Sequence, residues 1–361
     1  MSLRLQGVSK VVDGEVHIHP TDLDLEKGSM NVLLGPTLAG KTSLMRLMAG
    51  LDKPDTGRIF WDGQDVTGRR VQDRDIAMVY QQFVNYPSMT VYENIASPLR
   101  LQKRPEAEID ARVREMVDLL KLTDQIDHRP DQISGGQQQR CAIARALAKD
   151  VGLVLMDEPL ANLDYKLREE LRLEIPRLFA AKGSIFVYAT TEPEEALLLG
   201  GNTAAMWEGR VTQFGPATQV YREPEDDVTA RVYSDPQINL VPVRKEGAKV
   251  HFPSGQVTQA DRDFSSDTDG EYLAGFRAHH LEVGEQPGER LVFEVAVSAT
   301  DITGSESFLH LEVEGADWVA LVPGVRNYEA GSRITVSLDP RDVLYFNADG
   351  KRVGAEREGA G

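Results

Sequence analysis

The stretch VLLGPTLAGKTSLMRL, residues 32–47, joins an apolar run to a glycine-containing loop and then to a helical pattern of leucine and methionine. Its spacing fits G-x-x-x-x-G-K-[ST], which between a strand and a helix predicts a loop that binds nucleotide phosphates. Backbone N–H groups and the helix N-terminus cradle the phosphates. Lys41 is predicted to supply a positive charge to the outer phosphates, and Thr42 to ligate Mg²⁺. The predicted nucleotide contacts run through the whole loop: Gly35, Pro36, Thr37, Leu38, Ala39, Gly40, Lys41, Thr42 and Ser43.

A second motif, VGLVLMDEP at residues 151–159, is an apolar run that ends in two carboxylates. Such a run is typical of a parallel strand that is buried on both faces. With a phosphate loop elsewhere in the chain, Asp157 is predicted to lie near Mg²⁺ and Glu158 near the attacking water. The alternative is a strand that simply turns at two acidic residues before a proline.

Composition limits the possible partners and the compartment. The chain has 361 residues and a formal net charge of −17, which argues against nucleic acid or an anionic lipid surface as a direct partner. The single cysteine, Cys141, excludes an internal disulfide and fits a reducing compartment. The first ten residues lack the apolar core of a signal peptide, and apolar runs are too short to span a membrane. A cytosolic chain is predicted, unless a partner anchors it.

The order of the elements predicts two domains. Strands alternate with helices to about residue 220, which predicts an α/β fold with a parallel sheet. Beyond a polar junction, short alternating strands between Gly and Asp turns predict an all-β part, either a sandwich or a small barrel. The predicted limits are 1–232, with a helical subdomain at about 84–150, and 233–361.

A third motif, ISGGQQQRCAIARAL at residues 133–147, places a good helix N-cap, Ser134, before two glycines and a helical pattern. Between the phosphate loop and LMDEP, it resembles the signature sequence of ABC-transporter ATPases. The resemblance extends to MVYQQF, with Gln81 at the Q-loop position, to ANLD with Asp164 as the D-loop, and to FVYATTEPEEA as the switch region. It implies that Gln81 acts beside Mg²⁺, and that the nucleotide of the opposite chain in a dimer is contacted by Ser134, Gly135, Gly136 and Gln137.

Three residues depart from the family pattern at one nucleotide site. Thr191 occupies the position of the switch histidine, and a threonine has neither the reach nor the cationic form of an imidazole. Val12 replaces the aromatic residue that stacks on adenine, and Leu38 replaces a small loop residue. His17 or His19 is a candidate substitute for the aromatic ring, against the alternative that both are exposed strand histidines. An intact signature beside a changed pocket predicts a heterodimer with a sibling ATPase.

The C-terminal part resembles the β-rich, OB-like regulatory domain of carbohydrate-importer ATPases, through GFRAHHL at 275–281 and LYFNADGKRV at 344–353. Segments 35–51 and 80–99 look most like the paired ATPases of bacterial glycerol importers. The resemblance implies ATP and Mg²⁺ as cofactors, two permease subunits as partners and an external solute-binding protein as an indirect partner. It implies a peripheral position on the cytoplasmic face of the bacterial inner membrane. Phe83, Tyr86 and Tyr92 are expected to face the permease.

Two alternatives remain open at this stage. One is a soluble ABC protein that serves DNA repair, translation or cofactor assembly, although the chain has neither the long coiled-coil insertions nor the tandem ATPase domains common there. The other is a largely regulatory subunit that binds nucleotide but hydrolyses it weakly, a possibility raised by Thr191. The solute is not encoded in any of these motifs.

Overall fold

The computed structural model describes residues 2–82, 84–160, 163–180, 183–260 and 264–354. Residue contacts divide the chain into two units, Met1–Thr218 and Gln219–Gly361. The segment between residue 219 and the predicted boundary after residue 232 belongs to the second unit by its contacts. For example, an isolated β-bridge joins Asp226 to Lys351. The domain limits inferred from the sequence stay a prediction.

The first unit holds ten strands and six complete α-helices within its described part. The strands are β1 (Ser2–Val12), β2 (Glu15–Glu26), β3 (Met30–Leu34), β4 (Thr56–Trp61), β5 (Gln64–Asp65), β6 (Ile76–Val79), β7 (Leu153–Asp157), β8 (Ile185–Thr190), β9 (Asn202–Trp207) and β10 (Arg210–Pro216). The helices are α1 (Lys41–Ala49), α2 (Val91–Leu101), α3 (Glu106–Leu119), α4 (Gly135–Ala148), α5 (Tyr165–Ala180) and α6 (Pro193–Leu199).

A six-stranded sheet forms the centre of this unit, in the order β10-β9-β3-β8-β7-β6. The pairs β3–β8, β3–β9, β7–β8 and β6–β7 are parallel. Every residue of β7 and β8 is buried, as their continuous apolar sequences require. The predicted α/β class with a parallel sheet is confirmed.

A second, antiparallel sheet has the order β2-β1-β4-β5. Helix α1 packs into a core that both sheets share, and its buried residues include Leu44, Met45, Leu47 and Met48. The helix ends at Gly50, whose φ of 74° is a left-handed conformation that glycine adopts without strain. Helix α1 is therefore held between the two sheets.

Helices α2, α3 and α4 occupy the region that the sequence assigns to a helical subdomain. Helix α2 starts at a capping box, in which Thr90 accepts from the backbone N–H of Glu93 and the Glu93 side chain accepts from the N–H of Thr90. Helix α3 and the residue that follows it bury one apolar face, with Ile109, Val113, Met116, Val117 and Leu120 each at most 2% exposed. Within the described residues, no helix has the length and apolarity needed to span a membrane.

The second unit is β-rich. Its two sheets have the orders β13-β12-β11-β14-β20-β21 and β15-β19-β16-β17-β18, and their inner faces share one apolar core. Helix α7 (Ala217–Arg222) crosses the division between the units, and α8 (Asp227–Val232) follows it. The strands are β11 (Asn239–Glu246), β12 (Lys249–His251), β13 (Val257–Gln259), β14 (Gly270–Phe276), β15 (Leu281–Val283), β16 (Leu291–Ile302), β17 (Glu306–Val313), β18 (Ala316–Pro323), β19 (Arg333–Leu338), β20 (Leu344–Phe346) and β21 (Arg352–Val353).

Candidate nucleotide-binding and hydrolysis site

The predicted site residues of the two apolar motifs meet at one edge of the parallel sheet. Strands β3, β8, β7 and β6 are consecutive neighbours, and their carboxyl ends point the same way. The phosphate loop follows β3, Asp157 ends β7 and Thr191 follows β8. Gln81 comes two residues after the end of β6. Ligands in open α/β sheets bind at this edge.

The phosphate loop is held closely against its neighbours. A Cβ atom at Gly35 would lie 2.4 Å from the carbonyl oxygen of Met206, so only glycine fits there. The loop turns through a hydrogen bond of 3.1 Å from the N–H of Ala39 to the carbonyl of Pro36. Ala39 is buried, whereas Pro36 and Thr37 are exposed. The loop backbone is therefore fixed at both ends of its turn.

Leu38 occupies the tip of the loop in a strained conformation. Its φ is +70°, a region that costs an ordinary L-residue about 1 kcal/mol or more. Its side chain is 93% exposed and so gains nothing from packing in this chain. A glycine would adopt this φ without strain, which is the physical reason that leucine is unusual here.

Lys41 begins helix α1 and turns its ammonium group back over the loop. Its Nζ donates to the carbonyl oxygens of Gly35 at 2.7 Å and Pro36 at 3.0 Å. It also lies 3.6 Å from Glu158 Oε1. Burial lowers the pKa of Lys41, and the carboxylates of Glu158 and Asp157 oppose that shift. The charge therefore lies beside the loop for which the sequence predicts phosphate binding.

Thr42 and Asp157 form a pair of oxygen donors beside Lys41. The Thr42 hydroxyl donates to Asp157 Oδ2 at 2.6 Å. Burial raises the pKa of Asp157, which is 2% exposed, and the neighbouring charge of Glu158 acts in the same direction. No group of three or more His, Cys, Asp or Glu residues in the described part could hold a metal alone. A hydroxyl and a carboxylate fit Mg²⁺, which takes few protein oxygens and shares phosphate oxygens.

Glu158 has an unusual backbone conformation next to this pair. Its φ is +47°, and its N–H donates to the carbonyl of Ala189 on the neighbouring strand at 3.1 Å. Its carboxylate accepts a hydrogen bond of 3.2 Å from the exposed side chain of Gln81. Left-handed backbone outside glycine costs free energy and clusters at functional sites. The strand end thus turns the Glu158 carboxylate toward both Lys41 and Gln81.

Thr191 is exposed directly after β8, over a buried polar network. Within that network, Glu195 accepts from the hydroxyls of Tyr188 and Thr190, and the N–H of Glu192 donates to Thr190 Oγ1. A cavity of about 20 Å³ lies among Glu158, Thr191, Arg168 and Glu192. This volume exceeds the roughly 10–15 Å³ needed to admit one water molecule.

Arg168 and Glu195 were missed by the sequence reasoning. Arg168 lies in the first turns of α5 and its Nη1 donates to Glu192 Oε1 at 3.0 Å, which links the segment after Asp164 to the residue after Thr191. Glu195 is 5% exposed and anchors the base of the same turn. The sequence carried only a weak signal for these contacts, namely opposite charges on two segments that lie apart in the chain.

The signature residues contact each other at the exposed start of α4. Ser134 accepts from the N–H of Gln137, and the Gln137 side chain accepts from the N–H of Ser134. Gly135 has open space where a Cβ would lie. The described contacts of Ser134 and Gln137 are local, and none joins them to the phosphate loop of the same chain. This arrangement leaves the helix N-terminus available to a partner.

Val12 and His17, two residues considered for contact with the nucleoside, lie on the neighbouring strands β1 and β2. Val12 ends β1 and is 37% exposed. His17, on β2, lies with its Nδ1 3.4 Å from the hydroxyl of Ser43 in helix α1. His19 contacts the edge through its backbone, with its N–H donating to the carbonyl of Gly209 at 2.9 Å. Of the two candidate histidines, His17 is the one whose imidazole reaches the phosphate loop helix.

The segment expected to face a permease is fixed at its base and exposed at its tip. Buried Asn94 donates to the carbonyls of Tyr86, Met89 and Thr90 and accepts from the N–H of Tyr86. Tyr86 is 47% exposed, with the guanidinium of Arg145 over its ring. Tyr92, expected to be exposed, is half-buried and donates to Asp110. Phe83 lies outside the described residues.

Comparisons with known proteins agree with this fold and site. The family model described as "ABC transporter" matches residues 18–161, and the one described as "TOBE domain" matches residues 274–346. The sn-glycerol-3-phosphate import ATP-binding protein of Paracoccus denitrificans is 32% identical over 97% of this chain and 98% of its own length. The trehalose/maltose import ATP-binding protein of Thermococcus litoralis is 34% identical over 96% and 97%. The xylose/arabinose import ATP-binding protein of Haloferax volcanii is 35% identical over 95% and 92%.

A solved structure extends the likeness to the first unit's fold. The dimeric structure of MJ0796, a bacterial ABC transporter cassette, is 27% identical, with a TM-score of 0.56, and covers 60% of this chain and 98% of that one. Another structure of MJ0796, in a post-hydrolysis state bound to ADP and Pi, has a TM-score of 0.55. Fold and site together define a P-loop ATPase with an added β-rich domain. The chain belongs to the ABC transporter family, as its ATP-binding, ATP-hydrolysing subunit.

The resemblance to importer ATPases and the predicted OB-like C-terminal class are thereby confirmed. The relatives differ in the solute that their names give, at identities of 32%, 34% and 35% to this chain. Neither those names nor the dimeric cassette distinguishes a pair of identical chains from a pair of different chains. The heterodimer therefore stays a prediction.

Proposed function

We propose that the chain hydrolyses ATP to drive an importer for a small polyol or carbohydrate, with glycerol favoured. The proposal is carried by four residues that converge at the end of the parallel sheet: Lys41, Thr42, Asp157 and Glu158. Lys41 Nζ lies 3.6 Å from Glu158 Oε1, and Thr42 Oγ1 lies 2.6 Å from Asp157 Oδ2. The import proteins that match both units along nearly their whole length support the transport role. Glycerol rests on the resemblance of segments 35–51 and 80–99 alone.

The positions of these residues give each of them a role in ATP hydrolysis. Loop N–H groups between Thr37 and Ser43 and the Lys41 ammonium bind the phosphates, and Thr42, Asp157 and Gln81 would hold Mg²⁺, which neutralises phosphate charge when bound. Glu158 accepts a proton from water as the water oxygen attacks the γ-phosphorus. The bond from that phosphorus to the bridging oxygen breaks, giving ADP and inorganic phosphate. Thr191 offers one hydroxyl donor near the attacking water.

The proposed assembly places this subunit against two permeases on the cytoplasmic face of the bacterial inner membrane. An external solute-binding protein would act indirectly, through the permeases. We further propose that the chain pairs with a different sibling ATPase, because an intact Ser134-Gly135-Gly136 sequence accompanies a changed switch position. In that pair, Ser134, Gly135, Gly136 and Gln137 complete the nucleotide site of the sibling. A soluble, non-transport ATPase is the second candidate, and only the absence of a permease partner would favour it.

Purification of the native complex tests the proposal. The tagged full chain should co-purify with two integral membrane proteins, and the complex should hydrolyse ATP with a stimulation by one solute from a polyol and sugar panel. Lys41→Ala should weaken ATP binding at this chain's site, and the exposed Lys53→Ala serves as a surface-charge control. Recovery of an ATPase without membrane subunits would move the assignment to the soluble class.

A further inference from the structure

The backbone of His17 is held against the end of the phosphate loop. A Cβ atom at Gly40 would lie 2.9 Å from the carbonyl oxygen of His17, and one at Gly209 would lie 2.6 Å from the same oxygen. The N–H of Gly209 also donates to the carbonyl of Ala39 at 3.0 Å. Two glycines therefore permit an approach that fixes the start of β2 relative to the loop. A side chain anchored in this way is preorganised for binding.

The direction of the phosphate chain follows from three consecutive residues. Lys41 Nζ lies 3.6 Å from Glu158, and Thr42 Oγ1 lies 2.6 Å from Asp157, so both point to the hydrolytic carboxylates. These carboxylates mark the end at which the outermost phosphate reacts. Ser43 points elsewhere, toward the antiparallel sheet, where its hydroxyl lies 3.4 Å from His17 Nδ1. The pair Ser43 and His17 therefore marks the opposite, nucleoside end of the loop.

The chemistry of the pair suits an anion rather than an aromatic base. If the Ser43 hydroxyl donates to Nδ1, the proton of the imidazole resides on Nε2, which is then a donor. A protonated imidazole would donate from both nitrogens and add a positive charge. At this position in the loop, the nearest phosphate is the one attached to the ribose, since Lys41 serves the outer two. Val12, the aliphatic residue at the expected stacking position, provides no comparable donor.

On the basis of the proposed ATPase function, we propose that His17 is a nucleotide-binding residue that donates a hydrogen bond to the innermost phosphate of the bound nucleotide. Together with Ser43 it forms a subsite for that phosphate. The subsite supplies affinity on the nucleoside side, where Val12 leaves the base without an aromatic platform. It acts on ATP and ADP alike, because both carry the innermost phosphate.

Calorimetric titration of the full chain with MgATP, MgADP and MgGTP tests this assignment. His17→Ala should raise all three dissociation constants by about tenfold, the lower end of the range for a hydrogen bond to a charged group. His17→Gln, which retains an N–H donor, should restore most of the affinity. His19→Ala is the matched control, two residues along the same strand, and should bind as the wild type does.

Each contrary result identifies what is wrong. Unchanged affinity in His17→Ala, or no recovery in a folded His17→Gln variant, would overturn the subsite. A loss of affinity for ATP but not for GTP would place the imidazole on the base. A larger loss of affinity for ATP than for ADP would mean that the substitution acts indirectly, by displacing Lys41. If the wild-type chain bound none of the nucleotides while remaining folded, the proposed ATPase function would fail instead, independently of His17.

Discussion

The side chain of Gln81 donates a hydrogen bond of 3.2 Å to the carboxylate of Glu158. This contact joins the segments that follow two neighbouring strands, β6 and β7. Gln81 also begins the segment whose exposed tip includes Val84 and Tyr86 and whose base Asn94 holds. A partner that displaced the exposed tip would therefore act, through a short chain segment and one hydrogen bond, on the Glu158 carboxylate, which we propose activates water.

Replacement of Glu158 by glutamine tests its role as general base. Glu158→Gln should leave ATP binding in place, because Lys41 and the loop N–H groups remain, while hydrolysis falls by roughly 10²–10⁴-fold. Glu194→Gln changes an exposed carboxylate at the same sheet edge and should leave turnover unaltered. Single-turnover hydrolysis in the assembled complex is the measurement. Wild-type rates in Glu158→Gln would remove this residue from proton transfer.

Cys141 is predicted to be inert in the folded protein. It is fully buried in α4, and burial raises the pKa of its thiol to about 12. At pH 8 only about 10⁻⁴ of such a thiol is thiolate, the reactive form. We expect no labelling by iodoacetamide under native conditions and full labelling in denaturant, as measured by intact mass. Stoichiometric native labelling would show that α4 opens readily.

The inertness of Cys141 permits a crosslinking test of the permease contact. Ser88 is exposed in the segment that Asn94 anchors, so a cysteine there should be accessible in the isolated chain. In the assembled complex, Ser88→Cys should crosslink to the cytoplasmic part of a permease through a short bifunctional thiol reagent. Ser2→Cys, exposed at the start of β1, is the control. Efficient labelling of Ser88→Cys without a permease crosslink would count against the docking surface.

Local sequence carried enough information for the main features of the site. The phosphate loop, the apolar run ending at Asp157 and the capping residue Ser134 each combine a local conformation with a local chemical need. Helix α3 was predictable for a similar reason, because its buried residues repeat with helical spacing. The convergence of the phosphate loop and Asp157 at one edge followed from the parallel arrangement of the strands.

Contacts between distant segments were beyond prediction from the chain alone. His17 meets Ser43 because two glycines allow β2 to approach the loop, and Arg168 in α5 meets Glu192, the residue before α6. Neither contact has a periodic or spacing signal in the sequence. The left-handed backbone at Glu158 likewise depends on its hydrogen bond to Ala189 on the next strand. Such features arise from tertiary packing, which overrides local preference.

Thr191 provides the sharpest test of asymmetry between the two nucleotide sites. It is exposed at the end of β8, beside the cavity of about 20 Å³ that Glu158 and Arg168 also line. A histidine there has solvent-side room, reaches further than threonine and can become cationic. Because loss of one preorganised donor typically costs about 10²–10³-fold in rate, Thr191→His should raise turnover at this chain's site by up to that factor. If turnover rises by less than this factor, the strained Leu38 or the small Val12 limits hydrolysis at this site.

Site-by-site turnover in the purified complex is the decisive measurement. In a heterodimer, the sibling's site is silenced by its own Glu→Gln change, and the remaining hydrolysis reports the site formed by this chain's phosphate loop. Thr191→Leu, which adds bulk without a donor, is the matched control and should give no gain. We expect the unmodified complex to hydrolyse faster at the sibling's site, since this chain's signature loop is intact and serves that site. A homodimer with full activity at both sites would contradict the asymmetric model, because Thr191 would then support hydrolysis unaided.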